Sequence, residues 1–308
     1  MPWAHLRRVL IGLTLLASSL LPFGLFRSVL AQDATPGAVG TASADFAGLV
    51  DIGGRSLYLD CVGEGSPTVI LEAGLDSAVE VWSSLLPEIS TMTRVCAYDR
   101  ANLGASDSAE TPRTGQDVAA DLHALLTTAK VPGPYVLVAA SYGGIYDRLF
   151  AHTYPDEVAG LVLLDPTHED EDAHLEEALG PELWGELVEQ GWFESREGID
   201  FAATSDQVKH ARAELPLPTV PVVLLSAGHP SEPLPMPDWP SERVDPVLLA
   251  LQKDLASLVP GQRWIVVEDS GHNIQWERPE VVLDAIREVV YAVRDPSTWA
   301  TPVASPAP

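Results

Sequence analysis

Short apolar runs alternate with amphipathic segments along most of the chain. The runs are rich in β-branched and aliphatic residues, a pattern typical of strands buried on both faces of a sheet. They predict strands at 48–52, 56–62, 68–72, 94–98, 136–140, 160–165, 220–226 and 263–267. Apolar positions at helical spacing predict helices at 81–89, 115–130, 244–258 and 280–293, and another between Gly143 and Pro155. This alternation predicts an α/β fold: a mostly parallel eight-stranded sheet flanked by helices on both faces.

The segment 166–219, after the sixth predicted strand, interrupts this alternation. It has room for about two helices and shows no strand pattern. It is acidic, and it carries an apolar stripe at helical spacing formed by Leu175, Leu179, Leu183, Leu187 and Trp192. We expect a helical cap over the strand ends, with the stripe toward the site and the acidic face in water. The alternative is a solvated helix pair without a role in substrate choice.

The two ends of the chain differ in composition from the middle. Residues 1–31 combine a basic start, an apolar run and small residues up to Ala31, which predicts a signal peptide. The alternative is an uncleaved membrane anchor, because the run is near the lower length limit for spanning. Residues 32–45 and 296–308, rich in Ala, Thr, Ser, Gly and Pro, predict a flexible linker and a disordered tail. One domain then spans 46–295, and we expect it to be secreted or extracytoplasmic.

Charge and cysteines narrow the expected partners and compartment. The chain has 44 acidic and 18 basic side chains, a net charge of −26, so we expect no nucleic-acid partner. The same charge favours neutral or cationic substrates. Cys61 and Cys96, the only cysteines, lie in the second and fourth predicted strands. In an exported protein a disulfide between them persists if the strands are neighbours, and the alternative is two buried free thiols. A metal site is not expected, because no His or Cys cluster accompanies the pair.

A candidate nucleophile stands where the fifth predicted strand turns into a helix. Ser141 ends the apolar run 136–140, and Gly143 and Gly144 open the helix that follows. A serine in such a strained turn needs small residues two positions away on each side, and Ala139 and Gly143 meet that requirement. The turn would aim the backbone amide of Tyr142 at the atom that the serine oxygen attacks. The alternative is a glycine-rich turn whose serine is only a helix cap.

A serine hydroxyl becomes a useful nucleophile when a base accepts its proton and an acid orients that base. His272 is the candidate base, because Ser270-Gly271-His272-Asn273 follows the last apolar strand and precedes a helix. This position is at the same sheet edge as Ser141. The order of serine before histidine fits an enzyme with a strand-to-helix nucleophile turn.

Taken together, these segments resemble the α/β-hydrolase family, from about residue 48 to residue 293. Residues 139–143 are similar to the family's nucleophile elbow, 270–272 to its histidine loop, 71–76 to its oxyanion loop and 98–107 to the loop after its fourth strand. The resemblance implies that the backbone amides of Leu75 and Tyr142 are oxyanion donors. It also implies neighbouring second and fourth strands, which favours the Cys61–Cys96 disulfide. Ala73 and Ala139 depart mildly from the family pattern without removing a needed amide.

The orienting acid is the member of the site with alternatives. In most relatives it follows the seventh strand, where this chain offers Glu232 and, further on, Asp238. A minority of relatives place it at the end of the sixth strand, where Asp165 stands. We favour Asp165 over Glu232, with Asp238 third. The structural alternative for Asp165 is a cap of the following turn.

The resemblance and the serine nucleophile together imply hydrolysis of a carboxylic ester through an acyl-enzyme, with no metal or organic cofactor. The expected partner is a small acyl substrate, and the membrane is a partner only if the N-terminal segment stays uncleaved. An aminopeptidase, a lactonase or an acyltransferase with the same three residues remains open. A catalytically silent α/β-hydrolase domain that binds a ligand is the alternative from another class.

Overall fold

The computed structural model describes residues 45–191, 194–230 and 239–299. The predicted signal peptide (1–31), the linker up to residue 44, Trp192, both alternative acids Glu232 and Asp238, and the tail from residue 300 lie outside the described residues. Within the described ranges, no helix combines the length and apolarity needed to cross a bilayer.

The strands form one eight-stranded sheet in the order β1-β2-β4-β3-β5-β6-β7-β8. The β1–β2 and β2–β4 pairs are antiparallel, and all later pairs are parallel. This arrangement confirms the predicted mostly parallel α/β fold. The strands are β1 Phe46–Asp51, β2 Ser56–Val62, β3 Thr68–Glu72, β4 Val95–Tyr98, β5 Tyr135–Ala140, β6 Val158–Leu164, β7 Val222–His229 and β8 Arg263–Gly271.

Helices lie between the strands close to the predicted positions. They are α1 Leu86–Ser90, α2 Gly115–Thr128, α3 Gly143–Thr153, α4 Glu171–Leu179, α5 Pro181–Glu189, α6 Phe201–Glu214, α7 Ser241–Leu255, α8 Ile274–Glu277 and α9 Pro279–Arg294, with 3₁₀ turns at Val79–Trp82, Pro155–Glu157 and Pro296–Trp299. The single helix predicted at 81–89 is a 3₁₀ turn followed by α1. Pro87 has no backbone N–H to bond to the preceding turn, so it stands at the start of a new helix.

The sheet is covered on both faces, because alternate strand residues point to opposite sides. Ile70 of β3 packs in a cluster with α2 and α3, whereas Val69 and Leu71 pack in a cluster with α9. Cys61 and Cys96 are directly opposite each other in the β2–β4 pairing and form a disulfide with both side chains buried.

The segment between β6 and β7 folds as three helices, α4 to α6, rather than the two expected. Gly180, with φ +79°, ends α4, and Pro181 begins α5. Three residues of the apolar stripe, Leu175, Leu179 and Leu187, are buried in one cluster with Val244 of α7, which packs the cap against the rest of the domain.

The first four residues of the predicted tail also depart from expectation. Pro296–Trp299 form a 3₁₀ turn, and the Arg263 guanidinium lies 4.5 Å from the centroid of the Trp299 ring. A cation over an indole ring is favourable, which ties this turn to the edge strand β8.

Candidate active site

Ser141 occupies the tight turn between β5 and α3 with a positive φ of 55°. Its amide donates to the Leu164 carbonyl at 2.9 Å, and its own carbonyl accepts from Gly144 N at 2.9 Å. The turn depends on glycine at two positions. A Cβ on Gly143 would lie 2.6 Å from the Ala73 carbonyl oxygen, and a Cβ on Gly144 would lie 2.5 Å from the Cβ of Pro166. Larger residues would therefore push the turn out of place.

The carboxyl ends of β5, β6, β7 and β8 meet at one sheet edge because these strands are neighbours and parallel. Ser141 follows β5, Asp165 follows β6 and His272 follows β8. The His272 Nε2 atom lies 2.9 Å from Ser141 Oγ, and Nδ1 lies 2.7 Å from Asp165 Oδ2. The structure therefore brings these three predicted residues together in one hydrogen-bonded chain.

Hydrogen bonds to β7 fix both the backbone and the side chain of Asp165. Its amide donates to the Leu225 carbonyl at 2.7 Å, and Oδ1 accepts from Ala227 N at 3.0 Å, so β7 holds both ends of the residue. Its side chain is 4% exposed, and its φ is +41°. With Oδ1 bound to a backbone amide, Oδ2 is left to accept a hydrogen bond from the Nδ1–H of His272. The proton then belongs on Nδ1, and Nε2 is free to accept the Ser141 hydroxyl proton.

Acidic neighbours set the charge of the site. Burial lowers the pKa of His272, but the hydrogen bond and charge of Asp165 raise it more, with smaller contributions from Glu171 and Glu277, so the pKa lies above its usual value. Glu171, the first residue of α4, has a pKa raised to about 7 by burial and by Asp172 and Asp165, against the His168 amide and His272, which lower it. The acidic start of the cap therefore acts on the imidazole.

The predicted oxyanion donors flank the serine. Within the described part of the chain, the amides of Leu75 and Tyr142 donate to no protein acceptor, so both are available to a bound oxygen. A Cβ on Gly74 would lie 3.3 Å from Ser141 Cβ, so the loop that carries Leu75 passes directly beside the nucleophile. Two such N–H groups can stabilise a developing oxyanion.

Buried ion pairs beside the site have no counterpart among the sequence predictions. Arg100, in the loop after β4, binds Glu72 at the end of β3 and Glu197 in the cap. The sequence did carry a signal for the Arg100–Glu72 pair, because Glu72 ends β3 and Arg100 follows β4, the strand predicted next along the chain. Glu197 is 97 residues from Arg100, and no pattern in the chain points to it. The described residues also hold no group of three or more His, Cys, Asp or Glu side chains that could bind a metal ion.

Comparisons with known proteins agree with this architecture. The Alpha/beta hydrolase family model matches residues 69–285. YqjL, an uncharacterised protein of Bacillus subtilis strain 168, is 28% identical over 230 residues, which cover 74% of this chain and 85% of that protein.

Two solved structures show the same fold. An enol-lactonase from Burkholderia xenovorans LB400 aligns with a TM-score of 0.58 and 19% identity, over 79% of this chain and 100% of that one. A thermophilic esterase from Thermogutta terrifontis aligns with a TM-score of 0.54 and 22% identity, over 80% of this chain and 99% of that one. At these identities the similarity concerns the fold alone.

Proposed function

Because the chain belongs to the alpha/beta hydrolase family, we propose that it is a serine hydrolase that cleaves a carboxylic ester through an acyl-enzyme. The observation that supports this proposal best is the hydrogen-bonded chain from Ser141 Oγ through His272 to Asp165. In this proposal Ser141 is the nucleophile, His272 the general base and acid, and Asp165 the residue that orients the imidazole.

The proposed reaction has two halves. Ser141 Oγ attacks the ester carbonyl carbon while its proton passes to His272 Nε2, and the carbonyl oxygen becomes an oxyanion held by the amides of Leu75 and Tyr142. The intermediate collapses when His272 protonates the departing alkoxide, which leaves as the alcohol. Water then gives a proton to His272 and attacks the acyl-enzyme, and collapse of the second intermediate returns the proton to Ser141 and releases the acid.

The charge of the molecule supports neutral or cationic substrates. The net charge is −26, and Glu171 lies close enough to His272 to raise its pKa. Near neutral pH the partly ionised Glu171 would repel an anionic substrate and leave a neutral one unaffected. Lactone opening uses the same bond and the same steps as ester hydrolysis. Amide cleavage has to expel a poorer leaving group, and acyl transfer needs an acceptor other than water, so we place these two reactions second.

Export is part of the proposal. It is supported by the composition of residues 1–31 and by the Cys61–Cys96 disulfide, because such bonds persist in oxidising compartments. Sequencing the N-terminus of the protein from the culture fluid or envelope would test it. Gln32 as the first residue supports cleavage, and Met1 or a membrane-bound product supports the anchored alternative.

A panel of neutral, anionic and cationic p-nitrophenyl esters, simple lactones and aminoacyl p-nitroanilides tests the reaction. We expect the wild type to hydrolyse neutral or cationic esters, with a burst of p-nitrophenol that equals the amount of enzyme when deacylation is slow. Ser141→Ala should lose the burst and the turnover. Turnover by Ser141→Ala equal to that of the wild type would exclude the proposed mechanism.

A further inference from the structure

The loop of residues 73–77 carries the predicted oxyanion donor Leu75, and one buried arginine binds three of its carbonyl groups. Arg100 donates from Nη1 to the Ala73 carbonyl at 2.7 Å, and from Nη2 to the Gly74 carbonyl at 2.6 Å and the Ser77 carbonyl at 3.4 Å. Its side chain is 2% exposed. A buried, positively charged guanidinium therefore fixes the backbone of this loop through hydrogen bonds to its carbonyl oxygens.

The bond to Gly74 has a direct consequence for Leu75. The Gly74 carbonyl and the Leu75 N–H belong to the same planar trans peptide unit, so they point in opposite directions. When Arg100 binds the carbonyl, the N–H is aimed to the other side. Gly74 lies beside Ser141, because a Cβ at this position would be 3.3 Å from Ser141 Cβ. The guanidinium also polarises the peptide, which strengthens the N–H as a donor.

Two buried carboxylates hold Arg100 in turn. Nη1 binds Glu72 Oε1 at 2.5 Å, while Nε and Nη2 bind the two oxygens of Glu197 at 2.6 and 2.7 Å. Both glutamate side chains are fully buried. The paired bonds to Glu197 fix the plane of the guanidinium, which a single contact would leave free to rotate. Glu72 comes from the sheet, whereas Glu197 comes from the cap between α5 and α6.

The same part of the cap also binds Asp76, the residue after Leu75. Asp76 N donates to Glu197 Oε1 at 2.8 Å, and Asp76 Oδ1 accepts from Ser195 Oγ at 2.9 Å and from Glu197 N at 3.2 Å. The Asp76 carbonyl accepts from Arg196. Asp76 has a φ of +55°, a conformation that aspartate tolerates and that these bonds hold in place.

We propose that the cap segment Ser195–Glu197 is part of the oxyanion machinery: through Arg100 and Asp76 it sets the direction of the Leu75 N–H. Glu197, Arg100 and Asp76 are then positioning residues, and the cap serves transition-state stabilisation besides covering the site. This inference rests on the proposed serine hydrolase mechanism. It predicts that a change in the cap at Glu197, which acts through Arg100 and Asp76, alters kcat with little effect on KM.

The test compares Glu197→Gln with Asp121→Asn. Asp121 is a matched control because it is also a buried acid bonded to arginine, Arg113 and Arg55, away from the 73–77 loop. Loss of one oxyanion donor costs about 100- to 1000-fold in kcat, so misdirecting one of two should cost about 10- to 100-fold. Sites are first counted by titration with a fluorophosphonate. Per active site, we expect this fall in kcat for Glu197→Gln, a KM within about twofold, and no fall for Asp121→Asn.

A trifluoromethyl ketone supplies a readout that a general structural role would not move. Addition of Ser141 to the ketone gives a hemiketal oxyanion in the same position as the reaction intermediate. The inhibition constant should therefore rise in Glu197→Gln by the factor by which kcat/KM falls. Asp76→Gly and Asp76→Asn extend the series without unpairing Arg100: the glycine variant should lose about 10-fold in both quantities, and the asparagine variant, which keeps the acceptor oxygen, should recover most of it.

The outcomes separate this inference from the mechanism on which it rests. Unchanged kcat and ketone affinity per site in Asp76→Gly, or in a folded Glu197→Gln, would overturn the inference while a dead Ser141→Ala keeps the serine mechanism. If Glu197→Gln does not fold, the Asp76 pair decides. Full activity of Ser141→Ala would overturn both.

Discussion

Replacement of Asp165 by Asn is a nearly isosteric change with a chemically specific effect. Asparagine tolerates positive φ as well as aspartate does, so the backbone at φ +41° is preserved. Its carbonyl oxygen can still accept from Ala227 N, as Asp165 Oδ1 does at 3.0 Å. The amide group then faces His272 Nδ1 in place of Oδ2, now at 2.7 Å. Because the amide is a donor, Nδ1 must accept, the ring proton moves to Nε2, and the Ser141 proton has no acceptor.

The wrong tautomer in a serine hydrolase site lowers kcat by about 10⁴-fold, and at about 1.4 kcal/mol per tenfold this is roughly 5 to 6 kcal/mol of barrier. Removing Asp165 also removes the main cause that raises the pKa of His272, so that pKa should fall. The assay is the pH profile of kcat/KM on a neutral p-nitrophenyl ester, with thermal unfolding as the check on folding. Glu232→Gln is the matched control.

A fall of less than about tenfold in a folded Asp165→Asn enzyme would refute this reasoning about the tautomer. A loss of activity in Glu232→Gln, with Asp165→Asn active, would move the acid to the segment after β7 and leave the fold unaffected.

Three further predictions follow from the same geometry. The acid limb of the wild-type kcat/KM profile should inflect above pH 6.5, with activity lost as the pH falls. His272 must be neutral to accept a proton, and its pKa is raised from 6.5. An inflection below pH 6.5 would contradict this prediction. Double replacement of Cys61 and Cys96 by Ser should lower the free energy of unfolding in urea by about 4 kcal/mol, because the disulfide closes a loop between residues 35 positions apart. An unchanged unfolding midpoint would argue against the bond. Gly143→Ala should reduce turnover sharply because its Cβ would lie 2.6 Å from a backbone carbonyl oxygen, whereas Gly185→Ala, with open space around it in α5, should be active and at least as stable by thermal unfolding.

Much of the fold was readable in the sequence because its signals are local. Buried parallel strands such as β5 are continuous apolar runs, and Ser141 is marked by the glycines that follow it. Asp165 and His272 could be placed near Ser141 because each directly follows a strand of one parallel sheet. Such positions depend on strand order, which the family resemblance supplied.

Features that depend on contacts between distant segments were not readable. The apolar stripe of α4 and α5 has the right spacing for a buried face, but spacing does not say which element covers it, and Leu187 packs on α7. The Arg100–Glu197 pair links residues in two different segments, and a charged residue in a helical cap has the same sequence signature whether it is solvated or buried. Pro87 did carry a local signal against a continuous helix at 81–89.

The most direct test of the account is the site of covalent labelling by a fluorophosphonate on the intact protein, located by peptide mass spectrometry. The account predicts one adduct per chain, on the peptide that carries Ser141, and its loss in both Ser141→Ala and His272→Ala. An unlabelled folded wild type, or an adduct on another serine that persists in Ser141→Ala, would contradict the central claim and favour a domain that binds a ligand without cleaving it.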